Sequence, residues 1–225
     1  MVYFRRIITF MEPKFFKLPV CVGDVTLNVA KGHFATSHSH TNYFIDVTAQ
    51  KASLREAEAV AQQLAERHLS STMVDTILCL DGTRVIGTCL ARELTQAGYR
   101  SINEERDIYI LRAELDANGK ILFRDNARIM IEGKNVLILA ASLTTGGTAR
   151  RGMECIRYYG GNVAGIAAIY SHRTELDGVA VSALFDYADL PDYASYPAEA
   201  CPLCRQGTPL DAVVNSFGYS KVETT

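Results

Sequence analysis

The sequence lacks the features that would direct a chain to a nucleic acid, a membrane or a repeat architecture. Its formal net charge is only −2, so no overall attraction to nucleic acid or to an anionic membrane is expected. The apolar run Ile7–Met11 is too short for a signal-peptide core or a membrane span. No internal repeat, low-complexity tract or basic DNA-reading helix is found. We therefore expect a cytoplasmic globular protein whose 225 residues form one domain.

Residues 135–170 carry the clearest structural pattern. Val136–Ala141 is an unbroken apolar run, which suits a strand buried on both faces of a parallel sheet. Apolar residues then recur at helical spacing until Gly160 and Gly161, where a helix is expected to end because glycine takes positive φ freely. Val163–Tyr170 follows as a second apolar strand. This order of strand, loop, helix and strand predicts a βαβ unit and hence an α/β fold.

The loop inside this unit has the composition of a phosphate site. Its glycines let backbone N–H groups approach an anion, and its hydroxyls add donors at the positive end of the following helix. A bound anion would also account for Arg150 and Arg151 in the first helical turn, where the dipole disfavours cations. The alternative is an ordinary turn with two solvated arginines. The predicted phosphate ligands are Ser142, Thr144, Thr145, Gly146, Gly147 and Thr148.

The sequence Thr-Thr-Gly-Gly-Thr at Thr144–Thr148 identifies the loop more closely. It is not a Walker motif, because no Gly-Lys-Ser/Thr follows, and the Gly-x-Gly-x-x-Gly dinucleotide fingerprint is absent. It resembles the phosphoribosyl-diphosphate signature of type I phosphoribosyltransferases, and Val25–Leu190 resembles their orotate branch. In that family the preceding strand ends in two acidic residues. Here those positions are Ala140 and Ala141, so the acidic pair is degenerate and no catalytic residue is assigned.

The resemblance implies an architecture. A central, mostly parallel sheet flanked by helices would include Thr76–Leu80 in a core of about residues 51–185. A small hood, formed by about residues 1–50 and 186–225, would cover the carboxyl ends of the strands. The resemblance also implies a homodimer, in which a mobile loop of one subunit reaches the neighbouring site.

A second strand–loop–helix unit precedes the βαβ unit. Ser53 and Glu56 form a Ser-x-x-Glu capping box before a helix that leads into Thr76–Leu80. The next helix is expected to run through Ala97 and stop at Gly98. The resemblance assigns pyrophosphate binding to the loop between these elements, although the arginine in it is equally typical of a solvated turn. The predicted pyrophosphate loop is Asp81, Gly82, Thr83 and Arg84.

The segment Lys31–Asp46 is similar to the element of the orotate branch that lies beside the base. The resemblance makes Phe34, His40 and Tyr43 substrate contacts of the hood. A metal site is an alternative interpretation of three nearby histidines, His33, His38 and His40. We do not favour it, because no helical pair or carboxylate cluster accompanies them.

A mobile catalytic loop is implied after the next strand, where two apolar runs flank Asn118-Gly119 and predict a hairpin. Arg112 and Glu114 match the loop of the orotate branch. Its two lysine positions are instead Ala113 and Asp116, and its histidine position is Asn118. The cations that would meet pyrophosphate are therefore missing.

The Cys-x-x-Cys pair Cys201 and Cys204 lies in a proline-marked tail. One pair supplies only two of four zinc ligands, and two copies across a dimer axis would be needed to complete a site. We favour the other interpretation, a structural turn with reduced thiols, and assign no metal ligand.

The missing groups bear on chemistry. In the family the acidic pair holds the ribose hydroxyls, and Mg²⁺ bridges ribose and pyrophosphate oxygens. Two lost charged hydrogen bonds cost about 3–6 kcal/mol, and lost loop cations a further factor of roughly 10²–10³. One hypothesis is an orotate phosphoribosyltransferase-like transferase of pyrimidine nucleotide metabolism. It would bind phosphoribosyl diphosphate or a nucleoside monophosphate, with weak or absent orotate transfer. The other is a non-catalytic sensor or partner subunit that binds a phosphorylated ribose.

Overall fold

The computed structural model describes residues 14–19, 23, 25–116 and 119–222. Two short 3₁₀ turns, Gly98–Arg100 and Ala198–Ala200, accompany the regular elements. The helices are α1 (Thr48–Ala52), α2 (Leu54–Glu66), α3 (Arg84–Gln96), α4 (Asp125–Arg128), α5 (Gly147–Tyr158) and α6 (Pro202–Arg205). The strands are β1 (Phe15–Pro19), β2 (Thr26–Ala35), β3 (His40–Asp46), β4 (Thr76–Cys79), β5 (Tyr109–Arg112), β6 (Glu114–Leu115), β7 (Ile121–Leu122), β8 (Asn135–Leu143), β9 (Asn162–Ser171), β10 (Glu175–Leu176), β11 (Val179–Phe185), β12 (Ser195–Tyr196), β13 (Ala212–Asn215) and β14 (Gly218–Lys221).

The central sheet has the strand order β10-β11-β9-β8-β4-β5. Every neighbouring pair in it is parallel except β10 with β11. Parallel strands need crossover connections, and here α3 and α5 supply two of them. The predicted α/β fold with a mostly parallel sheet is therefore confirmed, and its three predicted strands correspond to β4, β8 and β9.

Strand β8 shows why helices cover both faces of this sheet. Leu137, Leu139 and Ala141 pack in one apolar cluster with α2 and α3. Val136, Ile138 and Ala140 alternate with them and pack in a second cluster with α5. Side chains alternate across a strand, so an all-apolar run needs an apolar partner on each side.

A second sheet forms the hood from both ends of the chain. Its order is β12-β3-β2-β13-β14, with β1 paired to β2. Strand β13 lies parallel to β2, which joins the carboxyl-terminal segment to the amino-terminal one. An apolar cluster inside it contains Phe34, Phe44 and Val214. The hood thus draws on the two predicted segments, while the assignment of the whole chain to one domain stays a prediction.

Three local predictions are refined by the structure. Ser53 is the N-cap of α2, but its side chain makes no capping hydrogen bond, so the capping box is not formed. Helix α3 ends at Gln96 and passes through a 3₁₀ turn instead of stopping at Gly98. The predicted hairpin is present as β6 and β7, although Asn118 lies outside the described residues.

In the part of the chain that the structure describes, none of the helices has the length and apolarity that a membrane crossing requires.

Candidate active site

A cavity of about 510 Å³ lies where the hood meets the carboxyl ends of β4 and β8. The β2–β3 turn, α1 and the β13–β14 turn form its hood side. The loop after β8 and the side chain of Tyr193 form the opposite side. Among the described residues on its wall, the charged groups are two cations, Lys51 and Arg151, and the carboxylate of Asp81. Burial raises the pKa of Tyr193 to about 12, so this phenol remains a neutral wall at physiological pH.

The loop of the βαβ unit encloses a smaller pocket of about 110 Å³, which we call the phosphate cradle. It is lined by all six predicted phosphate ligands. Gly146 is the N-cap of α5 with φ +81°, and a Cβ there would lie 2.7 Å from Cδ1 of Leu176. Gly147 begins α5, and the nearest atom to a Cβ placed there is Thr145 Oγ1 at 3.9 Å. Gly146 is therefore required by the turn, whereas the space at Gly147 is left open for a ligand.

The two adjacent arginines of α5 have different environments. Arg150 Nε and Nη2 donate to the Asp177 carboxylate at 2.7 and 3.1 Å, so this guanidinium is directed away from the cradle. Arg151 lines both the cavity and the cradle, and its Nη2 donates to Thr148 Oγ1 at 3.3 Å. Arg151 Nε is buried and has no hydrogen-bond partner among the described residues. The prediction that both arginines serve an anion therefore needs correction, since only Arg151 is placed for it.

The predicted pyrophosphate loop contributes one side chain to the cavity. Asp81 lines it, with φ +51°, a conformation that non-glycine residues rarely adopt. Thr83 is buried and donates to the carbonyls of Leu80 and Leu139 at 2.7 and 3.1 Å, so it holds the turn. Gly82 and Arg84 are exposed and do not line the cavity. The loop thus presents a carboxylate to the cavity, where the resemblance implies a phosphate contact.

Lys51 is the cavity cation that sequence reasoning missed. It lies on α1, and its Nζ donates to the carbonyls of Asp81, at 3.2 Å, and of Ser216. Burial lowers the pKa of this lysine, while the nearby charges of Asp81 and Asp46 act in the opposite direction. Burial likewise raises the pKa of Asp81, opposed by Lys51 and by the Ala141 N–H. No local pattern marks Lys51, because only the fold brings α1 beside the end of β4.

The two alanines that replace the family's acidic pair lie at the cavity floor. Ala140 and Ala141 are each 2% exposed; the first lines the cradle and the second the larger cavity. Mg²⁺ prefers carboxylate oxygens, yet among the described residues on the cavity wall only Asp81 offers one. That carboxylate already faces Lys51 and the Ala141 N–H. The residues present do not fit a protein-held magnesium site.

The three predicted substrate contacts of the hood separate in the structure. Tyr43 lines the cavity. Phe34 is fully buried in the apolar cluster of the hood and does not reach the cavity wall. His40 also lies off that wall, with Nδ1 3.2 Å from Sγ of Cys204. Of the three, only Tyr43 is in position to contact a ligand in the cavity.

The predicted mobile loop flanks the cavity through main chain and apolar atoms. Leu115 and Gly119 line it, on either side of the two residues not described. Arg112 is exposed and off the wall, and Glu114 pairs with Arg124 Nε at 3.4 Å. Neither side chain reaches the cradle in this arrangement.

Comparison with known proteins identifies relatives of this chain. No protein-family model matches the sequence. An orotate phosphoribosyltransferase of Thermus thermophilus is 30% identical over 186 residues, which cover 81% of this chain and 92% of that protein. An orotate phosphoribosyltransferase of Pelotomaculum thermopropionicum is 29% identical over 194 residues, covering 84% and 92%.

Solved structures agree on the fold. The orotate phosphoribosyltransferase of Mycobacterium tuberculosis H37Rv, crystallised with Fe(III) dicitrate, superposes with a TM-score of 0.51 at 18% identity, covering 73% of this chain and 92% of that one. An adenine phosphoribosyltransferase from Thermoanaerobacter pseudethanolicus gives 0.50 at 19% identity, covering 76% and 95%. At such identities these likenesses concern the type I phosphoribosyltransferase fold alone.

Proposed function

This chain belongs to the orotate phosphoribosyltransferase family, and from that membership we propose that it binds a 5-phosphorylated ribose compound in the cavity beneath the hood. The ligand is phosphoribosyl diphosphate or a nucleoside monophosphate, with its 5-phosphate in the cradle. The observation that carries the proposal is the Nε of Arg151 on the cradle wall, which is buried and finds no hydrogen-bond partner in the described part of the chain.

A phosphate in the cradle accounts for that atom. A buried donor without a partner costs about 1–3 kcal/mol, and more when charged, so native structures rarely keep one unsatisfied. The cradle also offers the start of α5 and the hydroxyls of Thr144, Thr145 and Thr148. Backbone N–H groups at a helix start, hydroxyls and a guanidinium together form a phosphate site.

We further propose that orotate transfer is weak or absent. Ala140 and Ala141 supply no carboxylate to the ribose hydroxyls or to the positive charge that develops at C1. Asp81 places a negative group where pyrophosphate would leave, and the hairpin after β5 lacks the two lysines of the family. Electrostatic stabilisation is usually the largest contribution to such catalysis, and both of its sources are reduced here.

This combination also supports the alternative of a non-catalytic binding subunit, which senses a phosphorylated ribose or assists another protein. The specific observation in its favour is that the cradle is retained while the groups for ribose and pyrophosphate are replaced. If the protein is such a binding subunit, ligand binding is independent of Mg²⁺.

We expect a homodimer, as in the family. Light scattering at micromolar concentration tests this expectation, and a monomer would contradict it.

The decisive experiment separates binding from turnover. Calorimetry with phosphoribosyl diphosphate and with uridine monophosphate, each with and without Mg²⁺, is expected to show binding of both. The Gly147→Asp variant is expected to lose it, because its carboxylate enters the open cradle while the fold has room for the side chain. An assay with orotate and phosphoribosyl diphosphate is expected to show turnover far below 1 s⁻¹. A rate within the ordinary range of about 1–10³ s⁻¹ would contradict the weak-transfer proposal, and no binding at all would contradict the phosphate proposal.

A further inference from the structure

A second group of reactive side chains lies outside the cavity, at the edge of the hood. It consists of His33, His40, Cys201 and Cys204, which we name the His/Cys cluster. One nitrogen or sulfur atom from each residue lies within 4.8 Å of the corresponding atoms of the other three. His33 and Cys201 are 168 positions apart in the sequence. Each pair by itself supplies only two of the four ligands of a zinc site, so neither pair alone predicted one.

The distances between the nitrogen and sulfur atoms of the cluster match the distances between neighbouring ligand atoms around a bound metal ion. His33 Nε2 lies 3.1 Å from His40 Nδ1, and that atom lies 3.2 Å from Cys204 Sγ. His33 Nε2 is 3.5 and 3.6 Å from the sulfurs of Cys201 and Cys204. For a tetrahedral ion with bonds of about 2.0 Å to nitrogen and 2.3 Å to sulfur, neighbouring nitrogens are separated by roughly 3.3 Å, and nitrogen and sulfur by roughly 3.5 Å.

The proton positions on His33 indicate what these atoms face. His33 Nδ1 is 2.9 Å from the carbonyl oxygen of Thr208, which can only accept, so Nδ1 carries the hydrogen. Nε2 of a neutral ring is then a lone pair, and three potential ligand atoms surround it. The Asp211 carboxylate accepts from the His33 N–H at 2.7 Å, which holds the backbone in place. The two thiols are only weak hydrogen-bond donors, whereas a cation would bind all four atoms.

We propose that the His/Cys cluster binds one Zn²⁺ ion per chain as a closed structural site. Two imidazoles and two thiolates in tetrahedral arrangement are the ligands that zinc takes in structural sites, and softer thiolates disfavour Mg²⁺ and Ca²⁺. Four protein ligands leave no position for substrate. His33 and Cys201 are buried, while Cys204 is exposed and gives the ion a path of entry. The hydrogen bond from Nδ1 of His33 to Thr208 is the outer-shell contact that orients metal-bound histidines.

The ion would connect the two ends of the chain at the cavity wall. His33 lies on β2 and His40 on β3, while Cys201 and Cys204 come from the start of α6. The turn between the two histidines, Thr36–Ser39, lines the cavity. All four ligands belong to one chain, so no dimer axis is needed to complete the site. The inference is independent of the proposed function, because metal content is measured without a ribose ligand.

The test is metal analysis of the full-length chain, purified without an affinity tag that binds metal and under reducing conditions. Elemental analysis is expected to find about one zinc per chain. Cys204→Ser and His40→Ala are each expected to reduce bound zinc at least tenfold. The matched controls, Cys89→Ser and His38→Ala, replace the same residue types outside the cluster and are expected to keep it.

A second measurement keeps the proposal testable if a variant does not fold. Chelator-treated wild-type protein is titrated with Co²⁺, which reports tetrahedral thiolate ligation through visible absorption bands; saturation at one ion per chain is expected. Absence of both zinc and cobalt binding in the reduced protein would overturn the proposal. So would full zinc content in a folded Cys201→Ser/Cys204→Ser double variant.

Discussion

Arg150 and Asp177 form a two-point ion pair, with Nε and Nη2 of the arginine 2.7 and 3.1 Å from the two carboxylate oxygens. This pair removes one of two adjacent arginines from the phosphate cradle and leaves Arg151 as its guanidinium. The contact itself adds little stability, because both side chains are 43% exposed and solvent screens exposed ion pairs. Its effect is on which cation is available to a ligand.

The two neighbouring arginines offer a matched pair of variants. Arg151→Gln is expected to weaken nucleoside monophosphate binding by roughly 10- to 100-fold, because hydrogen bonds to charged groups contribute about 1.5–3 kcal/mol. Arg150→Gln removes the same charge one residue away and is expected to change affinity by less than about threefold. Calorimetry at one ionic strength measures both. Equal losses in the two variants would mean that net charge, and not the cradle contact, supports binding.

The two cradle glycines are expected to respond in opposite ways to alanine. Gly146→Ala should lower the free energy of unfolding by about 1–3 kcal/mol, because φ is +81° and the new Cβ meets Leu176 at 2.7 Å. Gly147→Ala should leave it unchanged or slightly raised, because that Cβ has open space in the first turn of a helix. Urea unfolding without ligand measures both. A destabilised Gly147→Ala would contradict the open-cradle geometry.

Restoring the acidic pair is expected to restore a magnesium dependence. In the Ala140→Asp/Ala141→Asp variant, two carboxylates join Asp81 at the cavity floor, so affinity for phosphoribosyl diphosphate should rise at least about tenfold on adding Mg²⁺. The control is Ala140→Asn/Ala141→Asn, which has nearly the same shape without charge. Turnover should remain low, because Ala113 and Asp116 still leave pyrophosphate without cations. If Mg²⁺ acts equally on both variants, or on neither, the assignment of these positions is wrong.

Acid stability is expected to depend on His68. Burial, with a smaller effect of Arg67, lowers the pKa of this histidine to about 4, and its Nε2 has no partner among the described residues. In the unfolded chain this histidine binds a proton near pH 6.5, whereas in the folded chain it does so only near pH 4. Above pH 6.5 it is neutral in both states and does not lower the free energy of unfolding. As the pH falls from 6.5 towards 4, the free energy of unfolding decreases by an amount on the order of 3 kcal/mol.

The corresponding measurement is the urea midpoint between pH 7 and pH 4. His68→Gln should flatten the curve, whereas His38→Gln, at an exposed histidine, should leave its slope unchanged. An unaltered slope in His68→Gln would assign the acid sensitivity to other groups.

Local pattern alone predicted the apolar strands at the centre of the sheet, the βαβ unit and the glycine-containing loop that follows β8. Val136–Ala141 has to be buried on both faces, and Thr144–Thr148 has to form a turn, because the first is wholly apolar and the second contains the required glycines. These properties belong to short segments, so they can be read without knowing what packs against them.

Tertiary structure decided which side chains meet. It directed Arg150 to Asp177, placed Lys51 beside Asp81, and moved Phe34 and His40 off the cavity wall. It also joined a histidine pair to a cysteine pair about 170 positions away. The physical reason is that a side chain's partners depend on strand register and helix rotation between distant segments, which no local spacing encodes. The sequence therefore determined the strands and the predicted phosphate loop, and the fold alone determined which charges line the cavity and which four side chains form the His/Cys cluster.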